Sequence, residues 1–502
     1  RELHIPKTGK NAVDTFEKLY KYWQDVFSVS LLNKKFYKEL SNWYFWAIKH
    51  VVFPNRPTAA MAHEKGIELD ELIREHNATN VIRLLTRILF VWFIKEKKLI
   101  PEELFDLDTL QEDILKEISP YHETDGIFAT ANKESVYYKA ILQNLFFASL
   151  NCPIKADDVD ARTRGFRLKN HYGQDRGNDW RYRYENYFKN PDAFLEMINK
   201  TVPFLNGGLF ECLDEKLNNV YIDGFSDQMT KGELLVVPDY LFFGTDSIDD
   251  ISEITGIKDS QNKNADVKGL INILKSYKFT ITENTPIEED IELDPELLGK
   301  VFENLLASYN PETKTTARKQ TGSFYTPREI VNYMVDESLI AYLKNILIDK
   351  TKESDLDAAL HSLISYSSVN PFADDKDTTK IIINALDRCK ILDPACGSGA
   401  FPMGVLQKMV HILQKLDLDN ELWHELQLQK AMDETRTAYQ IQDKKEREKL
   451  ILEINEAFDQ NINDPDYARK LYLIENCICG VDIQPIAIQI SKLRFFISLV
   501  SD

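Results

Sequence analysis
The sequence predicts a mostly α-helical N-terminal region followed by the start of an open, doubly wound α/β domain that is incomplete in this chain. Three observations carry that expectation. Residues 390–401, KILDPACGSGAF, place a short apolar strand before a run of small residues and a helix. A second strand, CICGVDI, ends in a carboxylate, Asp482, and leads into another helix, QPIAIQISKLRFFISLV. Upstream, residues 1 to about 150 hold their apolar positions at helical spacing.

Bulk composition sets the frame. A chain of 502 residues exceeds what one hydrophobic core supports, and 43% hydrophobic and 11% aromatic residues supply ample core material. The net charge of −19 argues against a globally basic nucleic-acid binder but leaves room for a local basic surface. Six cysteines (152, 212, 389, 396, 477 and 479) form no CxxC pair, which predicts reduced thiols in a cytoplasmic protein. The longest apolar run, ILFVWFI (88–94), is far short of the roughly 20 residues that span a bilayer. The chain starts at Arg1 and ends within an apolar helical pattern at SLVSD, so it is expected to be a piece of something longer.

Three regions follow in order. Residues 1–160 read as a helical connector domain. Its helices include VIRLLTRILFVWFIKEKKLI, with basic residues at its end where the dipole favours them, and the amphipathic YKAILQNLFFASL (138–150). Residues 161–290 read as a mixed α/β region. It opens on a basic, aromatic stretch in which eight basic residues against three acidic ones give a local net of +5. Guanidinium groups there (Arg162, Arg164, Arg167, Arg181, Arg183) could pair with phosphates while aromatic rings stack on exposed bases, or the stretch could be a loop docked on the body. Further on, ELLVVPDYLFFGT (233–245) reads as a strand broken by Pro238.

Residues 291–502 hold the α/β start. DPELLGKVFENLLA opens a helix with Asp294 as cap and Pro295 in its first turn. The polar loop NPETKTTARKQTGSF carries Lys314, Arg318 and Lys319 as further candidates for phosphate contact, and a helix starts near Pro327. Residues 345–380 read as a polar insertion, and 420–458 as a highly charged helical stretch.

Small residues after KILDP make sense where backbone approaches a ligand. In open α/β sheets ligands bind outside the carboxyl ends of the strands. Gly397 and Gly399 permit close approach and positive φ, and Asp393 at the strand tip is placed to accept from a cationic amine. No Gly-Lys-Ser/Thr follows, so a triphosphate loop is a poor reading. Asp482, at the tip of the next strand, stands where doubly wound folds hold ribose hydroxyls. A carboxylate for an amine and another for a ribose describe S-adenosyl-L-methionine. Thr326, at a helix start, offers a hydroxyl and helix N-terminal amides to a carboxylate.

These residues resemble a known family. GSFYTP, DPACGSGAF and GVDIQPIAIQISKLR look like the cofactor motifs of amino-methylating DNA methyltransferases, in the order of the adenine-specific class. Flanking stretches (DPELLGKVFENLLA, FLNGGLFE, YARKLYLIENCICGVDIQ) resemble type IIG restriction-modification enzymes and their phage-defence relatives. The resemblance covers roughly 200–502 and implies a Rossmann-like methyltransferase domain. It implies that Thr326 binds the cofactor carboxylate, and that Asp393, Pro394, Ala395, Cys396, Gly397 and Gly399 surround the methionine end. It implies further that Asp482 takes the ribose hydroxyls, with Ile483 against the adenine. Cys396 is then a small loop residue rather than a nucleophile. Double-stranded DNA and further defence-system subunits are the implied partners, and no membrane is.

One family element is missing. The catalytic Asn or Asp followed by Pro-Pro and an aromatic does not occur in 1–502 and is expected beyond Asp502. VNPFADD (369–375) and NDPDY (463–467) imitate it out of order or without the second proline. Pro238-Asp239 with Asp266-Val267-Lys268 matches a nuclease motif by letter only, so Mg2+ enters the expectation only if a nuclease domain precedes Arg1. Two rival readings stand beside the leading one. One is methylation of RNA or protein; the other is a non-catalytic scaffold that binds DNA or partners, with a vestigial cofactor pocket.

Overall fold
The computed structural model describes residues 29–120, 135–152, 164–167, 181–205, 208–215, 218, 220–226, 229, 234–280, 293, 295–297, 299, 301, 326–349, 355–440, 447 and 465–500. Its chain forms two compact units. The first comprises 1–281, 290–297 and 301–322, and the second 282–289, 298–300 and 323–502.

Helices dominate the first unit. α1 (Val29–His50) packs against α2 (Leu69–Glu96). α2 begins well before the predicted Val81 and is apolar enough, over its length, to cross a membrane. It is instead a core helix, with 89% of its most apolar window buried. The amide of Asn77 on α2 donates to the carbonyls of Ile48 and Val51 at 3.2 and 3.0 Å, satisfying groups that the end of α1 leaves open.

α3 (Tyr137–Leu150) departs from the amphipathic expectation. It is wound as a π-helix, and all its side chains except Lys139 are buried. Several of its polar groups are therefore paired inside. Gln143 donates to the Asp223 carbonyl at 2.8 Å, and Asn144 both donates to and accepts from the Arg183 backbone. A short antiparallel strand pair, β1 (Ser247–Asp249) with β2 (Ala265–Val267), joins further helices that include Ala59–Lys65, Pro191–Thr201 and Leu270–Lys275. The predicted strand 233–245 is reduced to a single bridge, Val236 to Val52, and then a helical turn at Tyr240–Phe243. Proline cannot donate to a ladder, so pairing stops there.

The second unit contains α4 (Arg328–Leu347), α5 (Leu356–Ile364), α6 (Lys376–Arg388), β3 (Ile391–Asp393) and α7 (Ala400–Leu416). It continues through α8 (Glu421–Ala438), α9 (Pro465–Asn476), β4 (Ile478–Gly480) and α10 (Pro485–Val500). The described part of 345–380, expected as an insertion, contributes to the core: Leu360, Leu363 and Phe372 are buried with Leu406, Met409 and Trp423. Polar residues there cap helices instead: Asp355 and Asp375 accept from Ala358 N and Thr378 N. Lys415 of α7 donates to three carbonyls at the end of α5, those of Ser362, Leu363 and Ser365.

β3 and β4 pair in parallel, Ile391 opposite Ile478, Leu392 opposite Cys479 and Asp393 opposite Gly480. α7 packs beside β4, and on the opposite face Leu392 and Val481 are 63% and 52% exposed, with Cys479 between them also exposed.

α4 and α7 approach closely because Gly404 has no side chain; a Cβ there would lie 2.8 Å from Val331 Cγ1. Filling that contact with Gly404→Leu is expected to cost about 1–3 kcal/mol of overpacking. Denaturant unfolding measures it, and an unchanged midpoint would contradict the packing argument.

Candidate functional site
The glycine loop between β3 and α7 is built from both strands. Pro394 lacks an N–H and turns the chain out of the ladder, while Pro394 and Ala395 stay exposed. The ladder then resumes across the tip. Val481 N–H donates to the Asp393 carbonyl at 2.9 Å, and Cys396 N–H donates to the Val481 carbonyl at 3.0 Å. Gly397 and Gly399 take φ of +53° and +86°, conformations that a Cβ disfavours. At Gly399 a Cβ would also sit 2.4 Å from Ser491 Oγ. α7 starts with no side chain capping it, and Pro402 within its first turn carries no N–H.

The two carboxylates behave differently. Asp482 is already engaged: Oδ2 accepts from Gly397 N–H at 3.0 Å and Oδ1 from Gln484 N–H at 2.8 Å. It therefore latches the loop to β4 while each oxygen keeps a second lone pair. Asp393 Oδ1 accepts from Ala395 N–H at 3.1 Å, but its Oδ2 is buried with no hydrogen-bond partner among the described residues. A buried acceptor left unpaired costs about 1–3 kcal/mol, and more when charged, so this oxygen is suited to an incoming donor. Cys396 lies between them. Burial first, then the Asp393 and Asp482 carboxylates, push its thiol up to about 11. It is thus protonated at neutral pH, which removes it as a nucleophile.

Thr326 sits at the same end of the unit. Val331 meets Gly404, and Asp336 pairs with Lys408 at 3.0 Å, so contacts advance together along α4 and α7. The helices run the same way, which puts Thr326 and Pro327, at the start of α4, beside the loop end of α7. Thr326 is half-buried, and Ile483, just past Asp482, is 95% exposed. Sequence reasoning missed two contributors on α10, Ser491 and Arg494. Their only signal was a serine and an arginine three residues apart in a mostly apolar helix.

The basic, aromatic stretch uses several of its charges internally. Arg164 is 8% exposed and donates to four carbonyls, of Cys152, Val202, Ser149 and Pro203, at 2.7–2.9 Å. Arg183 is 1% exposed, its guanidinium over the Phe225 ring. For both, the expected role as an accessible phosphate contact is corrected: neither presents a free guanidinium at the surface. Arg167 and Arg181 are half-buried. Arg162, Lys314, Arg318 and Lys319 lie outside the described residues.

The motif imitations have structural uses. Asn370 accepts from Phe372 N–H at 3.0 Å and donates to the Lys415 carbonyl, while Phe372 is 2% exposed. Asp239 is fully buried and accepts from Tyr137 N–H and Ser119 N–H. Asp266 stands on a strand, β2, but Lys268 pairs with Glu39. Among the described residues no three His, Cys, Asp or Glu side chains could hold a metal ion.

The parallel pair thus brings Asp393 and Asp482 to one end of the two strands, beside the glycine turn. Comparison with known proteins narrows the class. The chain is 26% identical over 429 residues, 84% of its length, to a Methanocaldococcus jannaschii protein provisionally named a type II restriction enzyme and methyltransferase. That match spans 25% of the relative, so the chain corresponds to about a quarter of its length. No family model matches, and no solved structure matches. The chain is thus similar to a restriction–modification methyltransferase.

Asp482→Ala removes two backbone partners at once. On the sequence expectation that Asp482 takes the cofactor's ribose hydroxyls, the substitution should weaken S-adenosyl-L-methionine binding by the full-length protein by about 1–3 kcal/mol, read by titration calorimetry. Parent-like affinity would refute the assignment. Arg164→Met is expected to lower unfolding free energy by about 2–4 kcal/mol through its lost carbonyl contacts. A fall in DNA affinity without a fall in stability would reverse that conclusion.

Proposed function
We propose that this chain forms the cofactor-binding part of an S-adenosyl-L-methionine-dependent DNA methyltransferase of the adenine-specific class. In this reading the second unit is the start of a doubly wound, Rossmann-like domain, and the whole protein serves restriction–modification or phage defence in the cytoplasm, as the type IIG resemblance implies. The observation that carries the reading is the unpaired, buried Asp393 Oδ2 beside a glycine loop latched by Asp482. Similarity to a restriction–modification methyltransferase supports it independently.

The residues present fit the cofactor's chemistry. Asp393 Oδ2 would accept from the methionine ammonium, and the Thr326 hydroxyl with nearby helix N-terminal amides would receive its carboxylate. The spare lone pairs of Asp482 would take the ribose hydroxyls, and the exposed Ile483 would cover one face of the adenine. When bound, the cofactor supplies a methyl group already activated on a sulfonium. What remains for the protein is to hold that group in line with the acceptor nitrogen and to stabilise shifting charge. Reaching an adenine amino group in a duplex requires the base to leave the stack. The Asn/Asp-Pro-Pro-aromatic motif that would hold it does not occur in residues 1–502, so chemistry at the base is assigned to the whole protein.

The test is transfer of labelled methyl from S-adenosyl-L-methionine by the full-length protein to double-stranded DNA, RNA and protein in parallel. Label in N6-methyladenine of DNA is the expected result. Label in RNA or protein alone would favour the rival transferase reading. Cofactor binding without transfer would leave a scaffold with a vestigial pocket.

A further inference from the structure
Against the glycine loop lies a buried cation that the cofactor contacts above do not use. Arg494 of α10 is 2% exposed, and its Nη1 donates to the Ser398 carbonyl at 3.2 Å. One turn earlier, Ser491 is 6% exposed and packs where a Gly399 side chain would otherwise be. On the other side of the same peptide unit, Gly399 N–H donates to the Cys396 carbonyl at 2.9 Å. The plane joining Ser398 to Gly399 is therefore held at both its oxygen and its nitrogen.

That plane precedes a glycine, and Gly399 tolerates φ of either sign, so a flip of the 398–399 peptide meets no Cβ penalty at Gly399. After a flip, the Ser398 oxygen would leave α10, and the geometry at the head of α7 would change with it. Ser398 is itself 2% exposed, so its carbonyl cannot turn to water where it stands. A guanidinium suits this position because it stays charged when buried and presents fixed donors.

We propose that Arg494 is a positioning residue for the cofactor loop: it pins the Ser398 carbonyl and thereby holds the loop amides in their binding-competent arrangement. The ligand rests on the methyl-donor reading, whereas the pinning does not.

The test uses the full-length protein with Arg494→Met and Arg494→Lys, compared at a temperature where circular dichroism finds both folded. Without cofactor, hydrogen exchange of residues 396–400 is expected to be about tenfold faster in Arg494→Met, the scale of one lost charge-assisted hydrogen bond. Arg494→Lys, which keeps a charged donor, should restore most of the protection. S-adenosyl-L-methionine affinity should fall in parallel for Met and recover for Lys. Loop exchange unchanged in Arg494→Met, with only the melting temperature lowered, would overturn the proposal and leave a packing role. Should Arg494→Met not fold, Arg494→Gln carries the same expectation, because its shorter side chain falls short of the Ser398 carbonyl. A parent that binds no S-adenosyl-L-methionine would sink the methyl-donor reading, while loop exchange would still decide the role of Arg494.

Discussion

Val481 donates to the Asp393 carbonyl and accepts from Cys396 N–H, and the candidate site hangs on that pair of bonds, which carries the β3–β4 ladder past the strand ends into the glycine loop. The segments they connect are far apart in sequence, so closing them costs chain entropy that the local contacts must offset. Hydrophobic packing supplies the offset from below, where Leu406, Met409, Leu413, Leu473 and Cys477 are buried together. Gly480 belongs to the same constraint. A Cβ there would lie 2.9 Å from Cys396 Sγ, so the strand can approach the loop only through a glycine. The loop, its latch and its backing helix form one mechanical unit.

Charge follows a common rule in both units: cations that look available in the sequence are consumed by backbone carbonyls or carboxylates. Arg87 pairs with Asp223 at 2.8 Å in the first unit while also donating to the Leu209 carbonyl. Arg469 pairs with Asp417 at 3.1 Å in the second. Ion pairs this deep contribute little net stability compared with apolar replacements, but removal of one partner strands the other at high cost. They fix which loops meet which helices.

Much of the second unit was legible because its signals were local. A strand, a glycine turn and a helix follow one another in KILDPACGSGAF, and Pro327 marks the start of α4. Segment 345–380 was not legible, since its helix caps, Asp355 and Asp375, read as loop polarity until their N–H partners are seen. α3 defeated periodicity for another reason. Its apolar positions fit an α-helical stripe, but the segment is wound wider and enclosed on all sides, so polar residues such as Gln143 and Asn144 are buried as well. Arg164 illustrates the limit of composition: a net charge counts cations without saying whether backbone carbonyls already occupy them. For the site itself, Asp393, Asp482 and the glycines could be read from type and spacing. Arg494 could not, because its partner is a backbone oxygen, which leaves no mark in a sequence.

The exposed face of β4 has a practical side. Cys479 is the one exposed cysteine of the six, while Cys396 is buried with its thiol pushed up to about 11. A maleimide dye would therefore attach to β4, the strand that the loop is latched to. Its fluorescence would follow the loop without touching Cys396.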